Sequence, residues 1–325
     1  MYVPKFTYFC IVFEYDNRDI MAGMKLRTDS SSSLLWYHLA AFLTVSAWGV
    51  SFVSTKVLLD NGLYPTEVYI FRTILAYLLI LCVCHKKFMS NSFRDELLFM
   101  VCGLCAGSLY FIAENTALEY TLVSNVSLIV TLAPLLTTLL LGAIYKSERP
   151  GRWVIIGSVI AFLGVGFVIF NSSFSVDIKP LGDLLALSAA LSWAVYSIVL
   201  RKLSAFYTVM FITRKTFFYG LLTAIPFYLE QPAHSTLEVF ASWDVSLNFL
   251  FLGVFCSMLA FLLWAWCVQG LGAITTNNYL YFQPVVTLIA SALLLGEKVT
   301  FIGYTGCALI LIGVYVSDRI GGKKV

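Results

Sequence analysis

Charge is what this sequence has least of. Asp, Glu, Lys and Arg make up 12% of its 325 residues, about half the share that a soluble domain carries. A surface in water needs those charges and a surface facing hydrocarbon does not, so the soluble globular class is excluded. Histidine is scarcer: His38, His85 and His234 are far apart and lie at the ends of apolar runs or between them. They make neither a metal cluster nor a nucleophile–base pair. There is no glycine-rich phosphate loop, no H-E-x-x-H and no G-x-S-x-G, hence no motif for nucleotide hydrolysis or for the familiar hydrolytic centres. No cofactor, metal or catalytic residue is expected, and a membrane-embedded enzyme stays only as the alternative outside transport. A basic stripe is missing as well. With a net charge of only +3, no nucleic-acid partner is expected.

Paired cysteines are also lacking. The eight present (Cys10, Cys82, Cys84, Cys102, Cys105, Cys256, Cys267, Cys307) mostly sit inside apolar runs. Cys102-x-x-Cys105 resembles half of a metal or redox motif but has no second pair, so it is read as inert packing.

What the chain does have is hydrophobicity: 60% of residues are apolar and the mean hydropathy is +0.86. Crossing a bilayer core takes about 20 apolar residues. Runs of that kind fall at 35–59, 66–84, 96–118, 122–144 and 152–170, then at 181–202, 208–229, 246–269, 273–295 and 300–318. Turn signals separate them, such as Asp60-Asn61-Gly62, Arg149-Pro150-Gly151 and Gly270-Leu271-Gly272. Open sheet edges go unsatisfied in lipid, so each run is expected to be a helix. The fold class predicted is an all-α polytopic membrane protein with ten transmembrane helices. Residues 1–34 read as a disordered cytoplasmic segment with no cleaved signal peptide, and 319–325 as a cytoplasmic tail. Lys and Arg crowd alternate connections (Lys86, Lys87, Arg94, Lys146, Arg149, Arg152, Arg201, Lys202, Arg319), while the intervening ones hold only Lys179 and Lys298. By the positive-inside bias, both termini are expected in the cytoplasm.

The two sets of five runs match one another. Trp48 answers Trp193, Lys56 answers Arg201, Arg72 answers Arg214, and Gly103-x3-Gly107 answers Gly253-x3-Ser257. Pro134 answers Pro284, and Glu148…Gly157…Gly164 answers Glu297…Gly306…Gly313. A colinear series over five runs is an internal repeat, 35–170 and 181–318. An odd number of spans per unit puts the second copy in the membrane upside down. Such 5+5 inverted-topology repeats are an architecture of secondary transporters, because two equivalent packings of opposite polarity have similar energy. Pro134 and Pro284 each remove a backbone donor mid-span, freeing the carbonyls of Val130 and Leu280 and predicting kinks there. The small-x3-small faces are read as close helix packing.

With the repeat in view, the sequence resembles the EamA-type transporters of the drug/metabolite transporter superfamily. The resemblance is carried by Trp48-Gly49-x2-Phe52-x3-Lys56, by Ala117-Leu118-x-Tyr120 running into Ala133-Pro134-Leu135, and by the Glu148 and Glu297 turns. It covers about residues 36–318. It implies ten helices around a central cavity and export of amino acids or other small metabolites across a bacterial inner membrane. An exchanger of phosphorylated metabolites or nucleotide-sugars, a related branch, is the alternative substrate class. The partners expected are a small-molecule substrate and the bilayer; monomer and homodimer both remain open.

Ionisable residues inside spans are functional candidates by default. Lys56 either snorkels to the outer interface or joins Arg72 and Glu114, which fall at similar depth near the outer ends of runs two and three. Arg72 and Glu114 either form a structural pair or face a solute. Glu114, the one acid well inside a span, is the candidate for protonation or gating. Arg214 lies toward the cytoplasm, where it suits a carboxylate-bearing solute or simply follows the positive-inside bias. Trp264 stands where the counterpart of Glu114 would be. Asn115, Asn125, Asn277, Asn278 and Tyr281 offer hydrogen bonds either to a solute or between helices. Trp48, Tyr110, Trp193 and Tyr196 offer an aromatic cavity wall or core packing, and an aromatic wall with a few amides is a common small-molecule pocket.

Overall fold

In the computed structural model, the residues described are 31–85, 88–120, 126, 129–145, 149–169, 180–231, 235, 237–286, 289 and 300–317. They form ten helices and no strand. The first five are α1 (Ser31–Asp60), α2 (Pro65–Val83), α3 (Phe93–Gly103, Leu104–Ser108, Leu109–Tyr120), α4 (Ala133–Ile144) and α5 (Arg152–Ile169). The second five are α6 (Pro180–Leu203), α7 (Val209–Leu229), α8 (Trp243–Leu250, Phe251–Leu259, Ala260–Leu271), α9 (Ala273–Asn278, Tyr279–Phe282) and α10 (Phe301–Tyr315). By length and composition, five helices are apolar enough to cross a membrane: Leu34–Asp60, Pro65–Val83, Phe93–Ala117, Pro180–Leu203 and Trp243–Leu271. Three more are apolar and shorter. The 21-residue α7 is long enough, but Arg214 and Lys215 interrupt its apolar sequence. The chain is an all-α polytopic membrane protein built as a 5+5 inverted repeat.

Local chemistry sets the helix ends. Pro65 opens α2, where a missing N–H costs nothing, and the Glu67 carboxylate accepts from the Tyr64 N–H at 3.0 Å. Ser92 caps α3 by accepting from Asp95 N–H at 3.2 Å, with Asp95 and Glu96 in the first turn facing the positive end of the dipole. The α1–α2 turn uses Gly62 at φ 93° and the α8–α9 turn uses Gly272 at φ 81°, a left-handed backbone that favours glycine. Helix α1 begins at Ser31, a turn before the apolar run does.

Neighbour relations obey the repeat. Helix α3 packs on α6, and its exchanged pair is α8 on α1; α7 on α3 exchanges with α2 on α8; α4 on α6 exchanges with α9 on α1. Pairs α2–α7 and α5–α10 map onto themselves and lie together. The α5–α10 seam is glycine against glycine: a Cβ on Gly164 would meet Ile310 N at 2.7 Å and Gly306 O at 2.8 Å. The predicted packing role of these small residues therefore has a backbone-level cause. The proline positions match as well. A turn at 131–132 precedes Pro134 at the start of α4, and a 3-10 turn, Tyr279–Phe282, precedes Pro284 in α9.

One feature of the fold has no signal in the apolar pattern. Both α3 and α8 widen into π-helix at matched positions, Leu104–Ser108 and Phe251–Leu259. Gly107 leaves helical geometry altogether, with φ −113° and ψ −108°. A π turn spoils the ordinary bond ladder and leaves carbonyls for outside donors. Trp48 Nε1 of α1 donates to Cys256 O at 2.9 Å, and Ser192 Oγ of α6 donates to Cys105 O at 2.7 Å. Each half satisfies the widened turn of the other.

Candidate functional site

Helices α1, α2, α3, α4, α6, α8 and α9 enclose a cavity with about 710 Å³ of empty space, its open mouth included. Its walls lie in the half of the bundle nearer the Asp60–Pro65 turn. Helix α1 gives Trp48, Ser51, Phe52 and Thr55, which share one face by helical spacing. Arg72 comes from α2; Tyr110, Phe111, Glu114 and Asn115 come from α3; Val130 and Thr131 come from the segment before α4, and Ala133 is its first residue. Trp193, Phe261, Leu280 and Gln283 close the floor. Ser51, Phe52, Tyr110, Phe111 and Gln283 are only half-buried, so solvent reaches the lining.

The floor is a cluster of indole and phenyl rings. Trp48 and Trp193 meet edge-on, centroids 5.3 Å apart, and Trp264 stands 5.0 Å from Trp48. Phe261 completes the group at 5.8 Å from Trp48. Trp193 Nε1 donates to Asn277 Oδ1 at 3.1 Å, and the Asn277 amide in turn donates to Ser197 Oγ at 3.1 Å. The repeat-matched tryptophans thus stand at the cavity floor, Trp48 held by a hydrogen bond into the opposite half, to Cys256 O, and Trp193 by one to Asn277 within its own half.

Among the described residues, the charged lining is one cation and one carboxylate. Arg72 is 4% exposed; its Nε donates to Ser257 Oγ at 2.8 Å, and its guanidinium lies 4.7 Å over the Phe111 ring. Glu114 is 6% exposed and accepts from Tyr110 OH at 2.9 Å through Oε1. The two share the cavity, yet among the described residues no ion pair within 4 Å joins them. Asn115 donates from Nδ2 to Pro65 O at 3.2 Å. The structure holds no group of three or more His, Cys, Asp or Glu suited to a metal among the described residues.

Of the residues singled out in the sequence, Trp48, Arg72, Tyr110, Glu114, Asn115 and Trp193 line the cavity. Asn125 and the Lys56 side chain lie outside the described residues. Tyr196, Arg214, Asn277, Asn278 and Tyr281 do not reach the cavity; they hold helices together in the other half. Tyr196 packs 5.2 Å from Trp193, and Asn278 donates to Ser317 Oγ at 2.9 Å. Arg214 donates to the Cys84 carbonyl and lies 4.8 Å over Phe88. Tyr281 is buried against Ala161, Val165 and Ile310. The reason is visible in the repeat. These five stand on the helices whose exchanged positions line the cavity: Tyr196 answers Ser51, Arg214 answers Arg72, and Tyr281 answers Thr131. They belong to a mirror-image region that is packed shut.

Sequence reasoning passed over Ser51, Thr55, Phe111 and Phe261. A signal for them was present. Ser51 and Thr55 follow Trp48 on its own helix face, and Phe111 and Phe261 are repeat partners.

Residues 35–170 and 180–317 each match the EamA-like transporter family. The chain belongs to that family. Among similar proteins is an EamA-type relative of Escherichia coli named "Probable amino-acid metabolite efflux pump", 26% identical over 286 residues, covering 85% of this chain and 93% of that one. Another, of Streptantibioticus cattleyicolor, is named "Probable terminal-alkyne amino-acid exporter" and is 25% identical over 294 residues, 89% and 94% of the two chains. An "Uncharacterized transporter" of Archaeoglobus fulgidus is 27% identical over 286 residues, 87% and 98%. A solved crystal structure superposes with a TM-score of 0.71 at 18% identity, covering 90% of this chain and 99% of that one, which shows a shared fold. The protein is thus an integral multi-pass membrane transporter of the EamA type.

Proposed function

We propose that this EamA-type transporter exports small organic metabolites, amino acids and their relatives, by alternating access through the cavity between its halves. One observation carries the reading. The cavity-lining face Ser51, Phe52 and Thr55 of α1 has as its repeat counterpart Tyr196, Ser197 and Leu200 of α6, and those three are 1% exposed or less. Trp264, the counterpart of Glu114, is fully buried, and its indole N–H finds no partner among the described residues. One half is open and its copy is closed, as expected of a single state in a two-state exchange between inverted repeats. With the basic connections in the cytoplasm, the open side is the outer one and the closed side is the inner one. The names of the similar proteins support small amino-acid-like cargo. Phosphorylated cargo calls for several cations, and among the described residues only Arg72 brings one to the cavity.

The test is cysteine accessibility combined with flux. In proteoliposomes, Thr55→Cys and Ser197→Cys are labelled with an impermeant maleimide while pooled metabolites move. Labelling of the two positions should change in opposite senses as exported solute is added to one side. A Ser197→Cys that never labels, together with a pool in which no solute moves, would sink the reading.

A further inference from the structure

Two side chains of the cavity lining reach past the cavity to one spot on α8. Trp48 donates from Nε1 to the Cys256 carbonyl at 2.9 Å, and Arg72 donates from Nε to the neighbouring Ser257 Oγ at 2.8 Å. Both acceptors lie in the π-helical stretch Phe251–Leu259, and both residues are buried. The stretch is wedged between α1 and α2. Cys256 Sγ donates to Ala47 O at 3.5 Å, and a Cβ on Gly253 would meet Leu75 Cδ2 at 2.6 Å. Because a π turn leaves carbonyls to outside donors, Trp48 fixes the backbone of this one while Arg72 fixes its side chain. The helix that continues from the turn, Ala260–Leu271, carries Phe261 to the cavity floor and Trp264 to 5.0 Å from Trp48. A change in the turn therefore re-aims the floor.

The other half is built differently at this point. Gly107 stands where Ser257 would be and has no hydroxyl to accept with, and a Cβ there would run into the Tyr69 hydroxyl. Arg214, the counterpart of Arg72, donates to the Cys84 carbonyl instead.

We infer that Ser257 is a positioning residue of the transport cycle: through its bond to Arg72, occupancy of the cavity passes to the π turn of α8 and from there to the aromatic floor. This rests on the transport reading above and holds whichever solute is carried. The bond from the guanidinium to Ser257 is charge-assisted. A solute that draws Arg72 toward itself weakens that bond and releases one of the two donors that fix the turn. A turn able to widen and close is a bistable element, and such elements amplify a small local shift into movement of a helix segment.

The experiment uses the full chain in proteoliposomes and an equimolar mixture of neutral L-amino acids as probe. In the wild type, amide exchange at residues 255–260 should change about threefold when the mixture is added, since local opening there is what the solute alters. That measurement depends on no variant and decides the matter should Ser257→Ala fail to fold. In Ser257→Ala, maximal flux should fall about tenfold while half-saturation stays in place, the split expected when binding survives and the following step is impaired. Ser257→Thr keeps the hydroxyl and should recover most of the flux. Exchange at the turn that ignores the mixture while flux proceeds overturns the assignment and leaves the exporter reading standing. So does a Ser257→Ala that only raises half-saturation, or one that leaves both quantities unchanged. A wild type that moves none of the mixture and shows no change at the turn overturns both.

Discussion

At the residue scale, most of the polar chemistry in this bundle sits where a widened helix or a charge needs a partner. Ser192 is buried, and its hydroxyl donates to the Cys105 carbonyl in the π turn of α3. Ser192→Ala leaves that carbonyl unpaired in a low-dielectric interior and should cost about 1–3 kcal/mol, read as a lower melting temperature in detergent with cargo selectivity unchanged.

At the element scale, the seams between helices are set by glycine. Gly164 of α5 has backbone atoms of α10 where a Cβ would go, and backbone cannot swing aside as a flexible side chain can. Gly164→Ala should therefore push α5 and α10 apart at about 1–3 kcal/mol or more, whereas Gly151→Ala, with nothing within 4 Å, should leave the melting temperature in place. The glycine spacing in the sequence marks both helices as close-packing, whereas the fold shows that they pack on each other. The π turns of α3 and α8 were not readable, because a widened turn changes which carbonyl bonds to which amide without altering the apolar pattern. What reveals them is the pair of donors arriving from the other half, Trp48 and Ser192.

At the scale of the whole molecule, the closed end is held by a polar network that links α3, α7 and α8. Lys215 of α7 pairs with Glu96 of α3 at 2.6 Å, and Tyr219 OH donates to the same carboxylate at 3.2 Å. Tyr207 donates to Asp95 at 2.7 Å, and Gln269 donates to the Ser204 and Tyr207 carbonyls. The pair is mostly buried, at 7% and 17% side-chain exposure, so removing one partner costs on the order of 3 kcal/mol. That loss falls on the closed-inner state. Glu96→Gln should shift the population toward opening at that end, seen as faster maleimide labelling of Ser197→Cys than in the parent. Unchanged labelling would show that the ion pair does not hold this end shut.

The sequence by itself determined the membrane class, the ten helices, the doubling of the unit and its inversion, because apolar run length and positional matching need no three-dimensional information. It also picked out Arg72, Glu114 and the matched tryptophans, since charge inside lipid and an aromatic at the same repeat position are conspicuous in one dimension. It could not separate the cavity residues Trp48 and Tyr110 from their repeat-related neighbours Tyr196, Asn277 and Tyr281, which look equally suited. Only the tertiary structure decided that. An inverted repeat writes two equivalent sets of lining residues into one chain, and packing leaves just one set open at a time. The sequence specifies both faces, whereas the fold, through close contact of α6, α8 and α9 on one side and their separation on the other, chooses which one meets solvent.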